Sequence, residues 1–145
     1  MILGLLALVT AAVFAGTADY IAKVEQPARL ALGDEALLAL WRHSVARGSA
    51  VQAPLAVLSG CLGAATFIVS GWDWRWLAGA TTMLAVWPFT LMVVAPVQHS
   101  LAAFAPDQAG AETRALIERW GRLHSLRFLL GTAGTALFLW AAARP

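Results

Sequence analysis

Four long stretches of this chain carry no charge, and they limit what it can fold into. Met1–Ala18, Gly48–Gly71 and Trp76–Ser100 contain no Lys, Arg, Asp or Glu, and Phe128–Ala143 is a shorter stretch of the same kind. About 20 apolar residues in a helix cross the roughly 30 Å hydrocarbon core of a bilayer. The chain has 145 residues, 60% of them hydrophobic and 12% charged, where soluble chains run at about 45–50% and 25%. A globule this small cannot bury so much apolar surface. The expectation is an all-α, integral membrane four-helix bundle of up-down topology. It would be a single domain with spans at about 2–23, 49–70, 75–96 and 124–143. The fourth reaches full length only by taking in His124 and Arg127. Met1–Ala18 lacks the basic n-region of a secretory signal, so it is expected to stay as a span.

Lys and Arg concentrate in loops on the cytoplasmic side. The link between spans one and two holds Arg29, Arg42 and Arg47, with Lys23 at its edge. The link between spans three and four holds Arg114, Arg119 and Arg122, with Arg127 at its edge. The other side has Arg75 and Arg144. Both links are therefore expected in the cytoplasm and both termini outside. Trp72, Trp74 and Trp76 would then form an interfacial aromatic belt. The links read as helical. Pro27–Arg47 mixes Ala, Leu, Trp41 and charges, and Ala111–Leu123 is amphipathic and continues into span four. Phe104–Gly110 is the breaker before it.

An up-down bundle gathers the polar residues at one end. Asp19, Tyr20, Lys23 and Glu25 close span one, and His43 and Arg47 lead into span two. Gln98 and His99 close span three, and Trp120, His124 and Arg127 open span four on one helix face. Pro88 and Pro96 in span three, and Pro54 in span two, are expected to splay this end and aim His99 inward. A bundle opened at one end forms a pocket between helices. At the opposite end Gly4, Gly60, Gly63, Gly131 and Gly134 would let helices approach closely.

Much chemistry is excluded. There is no GxGxxG, P-loop, HExxH or nucleophile elbow. The net charge of +2 has no massed basic run, so no nucleic-acid partner is expected. Cys61 is the only cysteine and reads as a small packing residue. The Glu-x-x-His pairs of di-metal bundles are missing, and two histidines could hold a haem only without further support. No metal and no cofactor are expected. Asp19–Lys23 and Glu25–Arg29 have the i,i+4 spacing of ion pairs. His124 and Arg127 leave two readings open. Arg127 could snorkel to phosphates, or an ionisable pair inside a span could serve a ligand.

Several of these residues carry a resemblance. Pro96-x-Gln98-x-x-Leu101, followed by Trp120-x-x-Leu123-His124-x-x-Arg127, resembles the anthrone oxygenase-like family of small four-span membrane proteins. Ala15-Gly16 ahead of Pro27-Ala28-Arg29 agrees, as do Trp41-Arg42 and Arg47-Gly48-Ser49 with Pro54 beyond. The family usually has Asn two residues after the proline of span three, where this chain has Gln98. The resemblance implies a cofactor-independent, anthrone-type monooxygenase of a lipophilic aromatic, anthrone or hydroquinone-like. His124 would be the base, with His99 as the alternative, and Arg127 and Gln98 the donors to an oxyanion. Tyr20, Trp41 and Trp120 would line or stack on the substrate, with Glu25 and Arg29 beside them. The expected partners are a lipophilic small-molecule ligand and membrane lipid, with an oligomer left open. The expected location is the bacterial inner (plasma) membrane. A non-catalytic protein that binds a lipophilic ligand or a membrane partner is the alternative reading.

Overall fold

In the computed structural model, which describes residues 1–143, every regular element is helical. Arg144, placed above at the external end, lies outside the described residues. Four helices are long and apolar enough to cross a membrane: α1 Ile2–Leu30, α2 Asp34–Val69, α3 Trp74–Ala103 and α4 Ala111–Ala142. At 1.5 Å per residue they run to about 44–54 Å, well beyond a bilayer core of roughly 30 Å. They stand as an up-down bundle in cyclic order, each packed on its sequence neighbour and α1 closing on α4. Turns at 31–33 and 104–110 mark one end, here the loop end. Met1, the α2–α3 turn and the end of α4 mark the other, the terminal end. The links are helical and merge into the spans: α2 runs unbroken from Asp34 through Pro54, and α4 from Ala111.

The packing is inside-out relative to a soluble bundle. Leu6, Val9, Val13, Leu58, Ile68, Leu91, Met92 and Leu129 all face outward, a surface that needs lipid around it. Cys61 is exposed too, so it is not the packing residue expected from sequence. Two apolar clusters fill the interior. At the terminal end Phe14, Trp76, Met83, Val86 and Phe138 pack among alanines. At the loop end Leu37, Leu38, Trp41, Val97, Leu101, Ile117 and Trp120 pack together.

Glycines make the terminal cluster tight. A Cβ on Gly63 or Gly79 would lie 2.5 Å from the Phe138 ring, and one on Gly60 2.5 Å from Leu84. Trp76 is buried here, against Phe138 and over Gly4. It therefore does not join the expected aromatic belt. Trp72 and Trp74 are exposed, and Trp140 of α4 meets Trp74 edge-on at 5.4 Å. The connecting turn needs left-handed backbone at Gly71 (φ 74°) and Trp72 (φ 68°); glycine accepts this freely and tryptophan does not. Asp73 then caps α3 by accepting from the Arg75 N–H. Its side-chain bond to Arg75 holds the Asp73 carboxyl below the usual carboxylate range.

Arginines tie the loop end. Arg114 reaches Asp34 at 2.7 Å, the Leu30 carbonyl at 2.8 Å and the Leu32 carbonyl at 2.6 Å, joining α4 to the end of α1 and the start of α2. Arg42 donates to the Leu101 and Phe104 carbonyls at the end of α3. Both cations satisfy carbonyls that a helix C-terminus leaves open.

Two π turns set the phase of this end. Ile21–Glu25 interrupts α1 and Thr90–Val94 interrupts α3, each two residues before a proline. The last N–H before Pro27 and Pro96, on Gln26 and Ala95, reaches back five residues to Ile21 and Thr90. Each turn holds one extra residue and advances the buried face by one position. On α1 the buried series Gly4, Ala7, Ala11, Phe14, Ala18 resumes at Gln26 and Arg29. On α3 the series Trp76, Ala80, Met83, Val86 resumes at Val94, Val97 and Leu101. Pro96 therefore neither ends α3 nor aims His99 inward; the helix continues to Ala103 and His99 is exposed.

Candidate functional site

Between the two apolar clusters lies a layer of buried polar side chains. The inward face of α4 runs Trp120, Gly121, His124, Arg127, Gly131, and it supplies the centre. His124 is 2% exposed and Arg127 4%. Arg29 of α1, at 1%, and Gln52 of α2, at 2%, complete the layer. Glycines let α4 come close. Gly121 lies against the Gln26 side chain, whose amide donates to the Ile117 carbonyl at 3.0 Å. Gly131 lies against Phe14 and the Ala15 backbone.

A stack runs through the layer. The Trp120 and His124 rings stack with centroids 5.0 Å apart. The Arg29 guanidinium sits 5.5 Å over the Trp120 ring, and Trp41 meets Trp120 edge-on at 5.9 Å. Arg29 pairs with Glu25 and donates to Ser44 Oγ at 2.9 Å. Arg127 lies 5.7 Å over the Phe14 ring and, among the described residues, makes no ion pair. Gln52 donates to Thr17 Oγ1 at 3.3 Å.

These groups surround a cleft of about 330 Å³ at the loop end. Its walls include Glu25, Arg29, His43, Ser44, Arg47, Gln52, Trp120, His124 and Arg127. Three arginines thus face one carboxylate, a field that favours an anion. Several buried nitrogens at the cleft have no hydrogen-bond partner: Nε and Nη1 of Arg29, Nε of Arg127 and both nitrogens of His124. One side of the imidazole leans on the Ala18 carbonyl without closing a bond. Leaving buried polar groups unpaired costs about 1–3 kcal/mol each, more when charged. Such a concentration marks a place where a ligand supplies the partners.

Not every residue expected at the site is there. His124, Arg127, Trp120, Glu25 and Arg29 line the cleft together. Gln98 lines a separate apolar groove that reaches Arg127 from the other side. Trp41 lies behind Trp120 and does not face the cleft. His99 is exposed, rotated out by the π turn in α3. Tyr20 is 58% exposed, because the buried face of α1 runs through Ala18 and then Gln26. Arg127 points into the bundle, over Phe14, and does not snorkel outward. Three wall residues went unread. Gln52 is an amide inside an apolar stretch, which was the signal for it. Ser44 had no distinguishing context, and Arg47 looked like any other cation of the loop side. No group of three or more His, Cys, Asp or Glu is placed to hold a metal among the described residues.

Comparison with known proteins adds to this geometry. Anthrone oxygenase tpcL of Aspergillus fumigatus is 35% identical over 66 residues, covering 43% of this chain and 41% of that protein. The match thus spans less than half of that relative. No solved structure matches the chain. The anthrone oxygenase family profile matches residues 41–137, a stretch that contains Gln52, Gln98, Trp120, His124 and Arg127. The chain belongs to the anthrone oxygenase family.

Proposed function

We propose that this protein is a cofactor-independent oxygenase that converts a lipophilic anthrone or hydroquinone-like aromatic to its quinone within the membrane. The observation that carries the reading is the pairing of His124 with Arg127, both buried and with unpartnered nitrogens, in one cleft of a chain belonging to this family. An anthrone has an acidic methylene between two aromatic rings. His124 takes one methylene proton. Arg127, with Arg29 across the cleft, holds the oxyanion that results. The electron-rich enolate passes one electron to dioxygen, and radical and superoxide join in a new C–O bond. Protonation of the peroxide and loss of the second methylene proton break the O–O bond. One oxygen atom stays as the new carbonyl and the other leaves as water. Trp120 offers a flat face for the rings.

The loop end belongs in the cytoplasm and both termini outside, in a bacterial inner membrane. Lys23, Arg47, Arg119 and Arg122 are exposed at the loop end, against Arg75 at the other, and this supports that orientation.

Oxygen uptake by purified protein with anthrone tests the activity. The expected result is uptake above the spontaneous rate, with one dioxygen consumed per quinone formed. His124→Gln keeps a hydrogen-bonding side chain but removes the base, so turnover falls by about 10²–10⁴. Lysine cannot reproduce the planar fork of arginine, so Arg127→Lys is also impaired. Full activity in both variants would overturn the assignment.

A further inference from the structure

We propose that the substrate reaches Arg127 sideways from the lipid, through the groove between α2 and α3, and rests there with its ring system while the polar cleft receives its oxygen. The substrate class rests on the oxygenase reading above; the route does not.

The α2–α3 seam has two halves. Toward the terminal end it is shut, with Leu84 pressed on Gly60 and Phe138 on Gly63. One turn further the same face of α2 continues through Ala56, Ala53 and Ser49. These small residues face a groove of about 220 Å³, whose α3 wall includes Trp87, Leu91 and Ala95. Trp87 is 48% exposed and Leu91 56%, so the groove's rim lies on the apolar outer surface. The π turn Thr90–Val94 forms much of the far wall. A π turn is wider than an α turn, and Thr90 folds its hydroxyl back on the Val86 carbonyl at 2.7 Å, so it presents little polarity to the groove.

The floor sets this groove apart from a simple gap between helices. It ends on Arg127, more than nine-tenths buried and with Nε unpartnered. The polar cleft ends on the same residue, and Ser49 is the other residue common to both. One guanidinium therefore stands between an apolar space open to lipid and a polar space open at the loop end. The groove alone is below the roughly 300–1,000 Å³ of small-molecule sites, and joined to the cleft it falls within that range. A flat apolar molecule bearing one carbonyl or enolate oxygen matches this division: rings in the groove, oxygen at Arg127, and protons leaving past Glu25 and His43. A lipid chain would fill the groove but would bring nothing for Arg127.

Equilibrium binding of anthraquinone, a product analogue that cannot turn over, tests this in phosphatidylcholine nanodiscs by quenching of tryptophan fluorescence. Ala53→Phe fills the groove, and Leu91→Trp blocks its rim from a position exposed enough to spare folding. Both are expected to weaken anthraquinone binding by about tenfold or more. Leu129→Phe, on the outer face of α4, leaves it unchanged. Wild-type binding without oxygen uptake would remove the oxygenase reading and keep the route. Wild-type affinity in Leu91→Trp and in a folded Ala53→Phe would overturn it, as would no anthraquinone binding by the wild type. Loss of a co-purifying phospholipid in native mass spectrometry, with anthraquinone affinity intact, would reassign the groove to lipid and overturn it as well.

Discussion

The two ends of this bundle solve opposite problems with the same four helices. At the terminal end glycines meet aromatic rings: Gly63 and Gly79 on Phe138, Gly4 on Trp76, Gly134 on Met83. Few polar side chains are enclosed there, and those that are bond to nearby carbonyls, as Ser59 does to Ala7 at 2.9 Å. At the loop end two arginines, a histidine and two glutamines are buried, and several of their polar atoms have no partner. Membrane helices gain little from apolar association and hold together by close packing. The terminal end supplies that packing, which lets the loop end keep an arrangement that does not stabilise it. Cohesion and chemistry are separated along the bundle axis.

The contrast can be broken by substitution. The largest effect on stability belongs to the terminal end. Gly79→Val puts a branched side chain where a single Cβ already lies 2.5 Å from the Phe138 ring. It should destabilise the fold by about 2–3 kcal/mol, visible as a lower detergent-denaturation midpoint, with turnover per folded molecule unchanged. A loss of specific activity at full stability would show that the two ends are not separable. Arg127→Met should do the reverse. It removes an unpaired buried cation and keeps the volume, so the fold should hold or gain about 1 kcal/mol while ligand binding disappears. Destabilisation by Arg127→Met would make the arginine a structural residue. The smallest effect is expected at Lys23, half of an exposed pair with Asp19 at 2.6 Å. Lys23→Gln should change the midpoint by less than about 0.5 kcal/mol, and a larger shift would mean that its place over the Phe128 ring contributes more than the ion pair.

The fold was legible because its signals repeat over many residues. Uncharged runs of span length, a proline-rich break at Phe104–Gly110 and an amphipathic Ala111–Leu123 each point the same way. The centre of the site was legible as well, since Trp120, His124 and Arg127 share a face on a helix of regular phase. The misplaced residues lie on the two helices that change phase. Counting forward along α3 without the π turn turns His99 and Gln98 toward the interior; with it, Val97 and Leu101 take that place. On α1 the same slip moves the buried face on to Gln26 and Arg29. Prolines 27 and 96 announced a disturbance, but nothing in their spacing says that a helix will absorb it by widening and not by ending. Trp76 was misread for a different reason: a tryptophan near a span end suits an interface, and only the bare Gly4 opposite it reveals a socket.

The π turn in α3 also makes the length of the chain a variable with a sharp effect. Each residue of a helix turns it by about 100°, so removing one residue from Thr90–Val94 would restore an ordinary helix and rotate everything after it by that angle. Leu101 would leave the core, and the carbonyls that Arg42 holds at the end of α3 would swing away from it. Point substitutions along this stretch should therefore be tolerated where one-residue deletions are not, and insertions elsewhere in α3 could compensate for them. In genetic terms the segment behaves as a reading frame written in three dimensions.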